Sequence, residues 1–301
     1  MDSPLTSIAV CLCLALCVSG GFAYESDQYL YRTAEVADSL PLMDARVNDA
    51  LVQIAATWSG PRDDARFARA VYRELGGLYW VDHIERWANA NPAIRKYPQT
   101  RFRSVYRGMP IWATRVNYLF GVARSMRVGG VRVGTDKFGH FFSQGLKYYK
   151  RHKRGWSDER VFGRGAFAER WIFGKLTTGV YANADLVANY EGMRFYASLF
   201  EDDVRSGKPA VVSWSEDGPV IARPFTWTDH VTDYWDEALN PGPMVPALEK
   251  RLHARMLGLC DAARAVPAAY SSPEDDALWE RYEKIGLKDA RHMQFTSVCS
   301  L

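Results

Sequence analysis

Cysteine is scarce: five in 301 residues, with Cys11, Cys13 and Cys17 in the first eighteen and only Cys260 and Cys299 afterwards. That excludes a cysteine-dense disulfide scaffold and any four-cysteine zinc module. The chain lacks Gly-x-Ser-x-Gly, His-Glu-x-x-His, a phosphate-cradling glycine loop and Cys-x-x-Cys, so the common serine, zinc and nucleotide hydrolase classes fall away. Charge of either sign is not in excess, and a formal net charge of +3 is too mild to imply a nucleic-acid partner. Beyond the leader, no run approaches the 18 or so apolar residues a transmembrane helix needs. No repeat or low-complexity linker divides the chain.

What is present begins with an apolar run from Leu5 to Val18, followed by Gly21-Phe22-Ala23. Its small residues at minus three and minus one predict a signal peptide, residues 1–23, cleaved after Ala23. Lipidation at Cys17 is the alternative. Cleavage removes Asp2, the leader's only charged residue, so the net charge goes from +3 to +4. The mature chain, 24–301, is then periplasmic or secreted, with outer-membrane association open. In that oxidising setting Cys260 and Cys299 are expected to form one disulfide, worth roughly 3 to 4 kcal/mol for a loop of that size. Two free thiols are the other reading.

A hydrophobic fraction of 48% suffices for a substantial core, and the periodicities predict a mainly α, single compact multi-helix domain with two small β-hairpins. Helices are expected near 43–58, 62–75, 79–90 and 110–125, the last starting at Pro110, and near 246–265 and 273–285, the last capped by Ser272. Hairpins are expected at Val128-Gly129-Gly130-Val131 and across 210–223.

The organising stretch is 134–200. Thr135 is expected to cap a helix with apolar Phe138, Phe141, Phe142, Gly145 and Tyr149 opposite Asp136, His140, Ser143 and Lys147, stopped at Gly155. Ser157 opens a second helix whose apolar stripe (Phe162, Gly165, Ala166, Glu169, Ile172, Phe173, Leu176, Val180) carries a carboxylate in its middle; Arg164, Arg170, Lys175 and Thr178 fall on its other side. A third helix from near Asn183 aligns Asp185, Asn189, Gly192 and Tyr196. Three consecutive helices thus converge polar groups at one place.

The segment Asp136-Lys137-Phe138-Gly139-His140 resembles the Asp-Lys-x-x-His signature of VanZ-like proteins. With 184–190 and 235–241, residues 134–142 also resemble a family of exported bacterial proteins of unknown function. The second resemblance implies an exported location and a helical fold, and no reaction.

The candidate site residues are Asp136, Lys137, His140, Glu169, Asp185 and Asn189. Glu169, an acid in an apolar stripe, is expected to be buried, either with a raised pKa as general acid or base, or as a structural ion pair with Lys137 or an arginine. Asp136 would orient His140, and Lys137 would neutralise Glu169 or hold an anion. Alternatively Asp136, His140, Glu169 and Asp185 would hold a divalent metal ion. Asp185 and Asn189 complete the site, or serve as helix cap and packing contact. Glu191, Asp229, His230, Asp233 and Asp236 form a second polar group. Two functions follow: an acid/base or metal-assisted enzyme acting on a cell-envelope component, or a non-catalytic envelope scaffold whose buried polar network specifies helix packing.

Overall fold

The computed structural model describes residues 26–77, 81–100, 102–114, 121–169 and 178–301. The leader, the first residues expected in the 79–90 helix, residues 115–120 of the expected 110–125 helix, and Arg170, Ile172, Phe173, Lys175 and Leu176 lie outside them.

The described chain is mainly helical with two small antiparallel hairpins, and no described helix is long and apolar enough to cross a membrane. Near the N-terminus come α1 (Leu40–Ala56), α2 (Asp64–Leu75) and α3 (His83–Ala90). Each buries one stripe, with Val47 and Leu51, Phe67 and Val71, and Ile84 fully covered. Asp63 caps α2 through its carboxylate, which accepts from the Arg66 N–H, and Asp82 with Glu85 forms the capping box of α3. The helix expected from Pro110 is not formed where the chain is described: Pro110 to Thr114 make a turn, and Ser125 already begins a strand.

That strand, β1 (Ser125–Val128), pairs with β2 (Val131–Gly134) in the register Val128 opposite Val131. The two-residue turn between them needs left-handed backbone at both positions, and Gly129 and Gly130 supply it with φ of 59° and 86°. The Asp38 carboxylate accepts both glycine N–H groups. The hairpin delivers the chain into α4 (Asp136–Gly139), a π-helical turn (His140–Gln144) and α5 (Gly145–Lys153). Thr135 is itself helical and its side chain makes no capping bond; the preceding strand fixes the entry instead, through the Thr135 N–H donated to Arg124 O. Four basic residues crowd the last turn of α5, and the left-handed Gly155 stops it, as expected.

Ser157 caps α6 (Asp158–Ala168) by accepting from the Arg160 N–H. Glu169 directly follows this helix with helical backbone, and the rest of the expected stripe up to residue 177 lies outside the described residues. Val180 pairs with Met244 in an isolated bridge instead of continuing the helix, and Thr178 is buried rather than on a polar face. Then α7 (Asn183–Ser198) runs through the core with most of its residues buried. It approaches the π turn so closely that a Cβ on Gly192 would lie 2.0 Å from Phe141 O. Gly192→Ala is therefore expected to cost about 2 to 3 kcal/mol by forcing the helices apart, measurable by denaturant unfolding. Around this contact Phe138, Phe141, Phe142, Phe195, Phe225, Trp227 and Trp235 pack ring to ring, with Phe141 and Trp227 at 4.8 Å.

The second hairpin, β3 (Val212–Ser215) with β4 (Gly218–Ile221), covers one edge. The 227–239 stretch carries two 3₁₀ turns, Trp227–Asp229 and Asp233–Trp235. The expected 246–265 helix is two, α8 (Pro246–Leu257) and α9 (Cys260–Ala265). Helix α10 (Asp275–Tyr282) starts later than Pro273; the Ser272 hydroxyl donates to Asp233 and accepts from the Glu274 N–H in the turn before the helix. Cys260 and Cys299 are disulfide-bonded, S–S 1.99 Å, tying α9 to α11 (Phe295–Cys299) within a second apolar cluster.

Candidate functional site

The first turn of α4 projects Asp136 and Lys137 inward from the end of β2, and both are buried, Lys137 to 0% exposure. An ammonium removed from water needs anions around it. Lys137 Nζ has three: Asp136 Oδ2 at 2.6 Å, Asp185 Oδ1 at 2.5 Å and Glu237 Oε1 at 2.5 Å. Asp136 also accepts from the Ser26 hydroxyl at 2.6 Å, and the Gln28 side-chain oxygen accepts from the Glu237 N–H. This half of the site is a closed network, stitched by the start of the described chain.

One turn on, in the π-helical turn, His140 uses both ring nitrogens. Nε2 lies 3.1 Å from Asp185 Oδ2, and Nδ1 lies 3.1 Å from the Asn189 side-chain oxygen. Asp185 and Asn189 are one turn apart on α7, so the spacing seen in the sequence becomes a two-point clamp on one imidazole. The expectation that Asp136 orients His140 is corrected: Asp185 and Asn189 do so, because the short Asp136 side chain is engaged by Lys137 and Ser26. Lys137 likewise pairs with Asp136, Asp185 and Glu237 and not primarily with Glu169.

Glu169 is 2% exposed. Burial, then the neighbouring Asp185 charge, raise its pKa to about 8, against the partial relief from His140 and Lys137. Burial works against a protonated His140, but the Asp185 carboxylate, with help from Glu169, outweighs it and lifts the imidazole to about 10. For Asp185 burial is also outweighed, by His140 and Lys137, which hold the carboxyl below the ordinary range. Near neutrality the set is therefore an ionised Asp185, a cationic His140 and a neutral Glu169. Two carboxyls driven apart in pKa by their surroundings are the usual mark of divided acid and base roles.

The Glu169 half differs from the Lys137 half in having open space beside it. A pocket of about 220 Å³ between α5, α6 and α7 is lined by Glu169, Asn189 and Tyr148, with Lys147, Arg151 and Arg164 among its walls. Ligand atoms of His140, Glu169 and Asp185 lie within 4.8 Å of one another, a set that could hold a metal ion. Asp136, Asp185 and Glu237 meet the same spacing, but there the Lys137 ammonium already sits where a cation would. Of the four expected metal ligands, Asp136 thus belongs to the ammonium and not to the His140 set.

The structure brings Asp136, Lys137, His140, Asp185 and Asn189 together, with Glu169 alongside. Sequence reasoning missed Glu237 and Glu85. Glu85, on α3, is pushed well above the usual carboxylate range by burial and by Asp82 and Asp136. The signal for Glu237 was its place among Trp235, Ala238 and Leu239; Glu85 stands where an ordinary capping acid does.

The second polar group resolves differently. Glu191, 0% exposed, is met by Arg205 at 2.9 Å, Arg281 at 2.8 Å, the Tyr282 hydroxyl at 2.8 Å and His230 Nδ1 at 3.3 Å. Asp229 pairs with Lys208 and Arg223, Asp233 accepts from Ser272, and Asp236 pairs with Arg32 at 2.9 Å. His230 and Asp233 therefore serve separate partners rather than forming one face. No family model, no curated protein and no solved structure matches this chain.

Proposed function

We propose that the protein is an exported, single-domain cell-envelope enzyme that uses Glu169 as a general acid on an envelope component bound in the adjoining pocket. The observation that carries this reading is a buried, neutral carboxyl group bordering open space and backed by an ionised pair. Glu169 can hand its proton to a leaving group in the pocket; the resulting carboxylate then faces the His140 cation, which stabilises it and can return a proton. Lys137 fixes Asp185, which in turn fixes His140. The disulfide and the likeness of 134–142 to exported proteins support the location. A scaffold role would account for the closed network around Lys137, but leaves the pocket beside Glu169 without a purpose.

The test is to incubate cell-envelope fractions with the purified chain and with Glu169→Gln, and to compare products by mass spectrometry. Products formed only by the parent are expected, with a rate that falls as pH rises through about 8, where Glu169 loses its proton. Identical product profiles for both proteins would defeat the reading.

A metal-assisted form is favoured by one further observation: Asn189 accepts from Nδ1 of His140 and so leaves Nε2 to face Asp185 and the Glu169 carboxyl. Such outer bonds orient metal-binding imidazoles, and one nitrogen with two carboxylates suits zinc, manganese or iron. Binding would displace the protons on His140 and Glu169, so calorimetry in buffers of different ionisation enthalpy should show about two protons released per metal at pH 7. No heat beyond dilution with Zn²⁺ or Mn²⁺ retires this form.

A further inference from the structure

The pocket beside Glu169 has a charge pattern that the acid–base chemistry does not require. Lys147 and Arg151 stand one turn apart on α5, Arg164 faces them from α6, and all three line the cavity. Two neighbours on α5 have acidic partners: His152 lies 3.3 Å from Asp158 and Lys153 lies 3.3 Å from Glu201. Among the described residues no carboxylate pairs with Lys147, Arg151 or Arg164. Helix-end cations on a plain solvated face would spread outward, whereas these converge on one concavity. Phe167, 59% exposed, adds an apolar flank to the same cavity.

We infer that this pocket binds a phosphate-class oxyanion, the phosphate group of an organic ester, and so gives the substrate class of the enzyme proposed above, on which this inference rests. Three cationic side chains exceed what a single carboxylate would neutralise, and guanidinium groups match phosphate oxygens two at a time. Burial and then the neighbouring arginine lower both Lys147 and Arg151, offset only in part by Asp82 and Tyr148, and a bound anion would relieve the repulsion further. Anchored there, the ester would present its bridging oxygen toward Glu169, and Phe167 would cover an apolar portion.

The test uses full-length mature protein and two probes: inorganic phosphate by calorimetry, and phosphatidylcholine vesicles with or without phosphatidic acid by co-sedimentation. Saturable binding of phosphate at one site is expected, weakened about tenfold or more in Arg151→Ala and in Arg164→Ala, and weakened less in Arg164→Lys, which keeps the charge but loses the paired donors. These side chains are at the surface, so native melts are expected and are measured alongside. Binding to phosphatidic-acid vesicles but not to free phosphate, with the same arginine dependence, assigns the anion to a lipid headgroup and still supports the inference. Binding that ignores both arginines, or absence of binding in both arms, overturns it. Glu169→Gln should still bind phosphate, so the anion site and the acid can fail separately.

Discussion

Lys137→Met is expected to lower stability by about 3 to 5 kcal/mol, as removal of one partner from a buried ionic cluster typically does. The reason is the count of charges left behind. Asp136, Asp185 and Glu237 converge on one ammonium with 0% exposure, and methionine fills the volume while leaving three buried carboxylates facing one another. Some would take up protons, so the deficit should shrink as pH falls, which urea unfolding at several pH values would reveal. Glu169→Gln is the matched comparison. Below its ordinary 4.5 Glu169 is protonated in the folded and unfolded chain alike, its folded value being about 8, so there an amide of the same shape should change stability by less than about 1 kcal/mol. From pH 4.5 up to about 8 the Gln variant should gain on the parent, because the unfolded chain gives up a proton that folded Glu169 keeps, a cost that only the parent bears. Equal losses for both variants would mean that Glu169 is a structural ion and not an acid.

The second large effect is expected at Glu191, where Glu191→Ala should cost about 3 to 5 kcal/mol. It would strand Arg205 and Arg281 and remove an acceptor from Tyr282 and His230. The pH dependence has a definite sign. Burial tends to raise Glu191, but the bond to His230 and the charge of Arg205 outweigh it and hold the acid at about 2. Its stabilisation is therefore present above its ordinary 4.5 and lost as pH falls toward 2. Burial holds His230 down at about 4, the largest influence on it. The unfolded chain then takes that proton first, and stability drains away between the ordinary 6.5 and about 4, at up to about 1.4 kcal/mol per pH unit. Acid unfolding of the parent should thus begin below pH 6.5 in two stages, and in Glu191→Ala the lower stage should vanish. An unchanged acid profile in that variant would show that the network titrates through other groups.

Much of the fold could be read from local chemistry. The Gly129-Gly130 turn, the Ser157 cap, the basic end of α5 before Gly155 and the Cys260–Cys299 pair each follow from a residue whose conformation or reactivity leaves few options. The same holds for the one-turn spacing of Asp185 and Asn189, which places both on His140. Long-range choices could not be read this way. Nothing local says that Lys137 would turn inward beside Asp136, because the carboxylate completing its cage, Glu237, lies 100 residues away. Nor does periodicity reveal that Ser26 and Gln28 thread the site. Where the chain expected to be helical from Pro110 is described, it is a turn at 111–114 and a strand from Ser125, because Pro at a first turn permits a helix without requiring one and pairing of Ser125–Val128 with the next strand claims that end. The π-helical turn at His140 was likewise invisible, since it answers to packing of Phe141 and Phe142 against α7 and the surrounding aromatic rings.

The most direct test is the titration of one carboxyl group. Carbon-13 NMR of glutamate-labelled protein, with Glu169→Gln to assign the resonance, should find Glu169 protonated at pH 7 and titrating near 8. A midpoint in the ordinary range near 4.5 would contradict the account, because Glu169 would then be a plain anion with no proton to give.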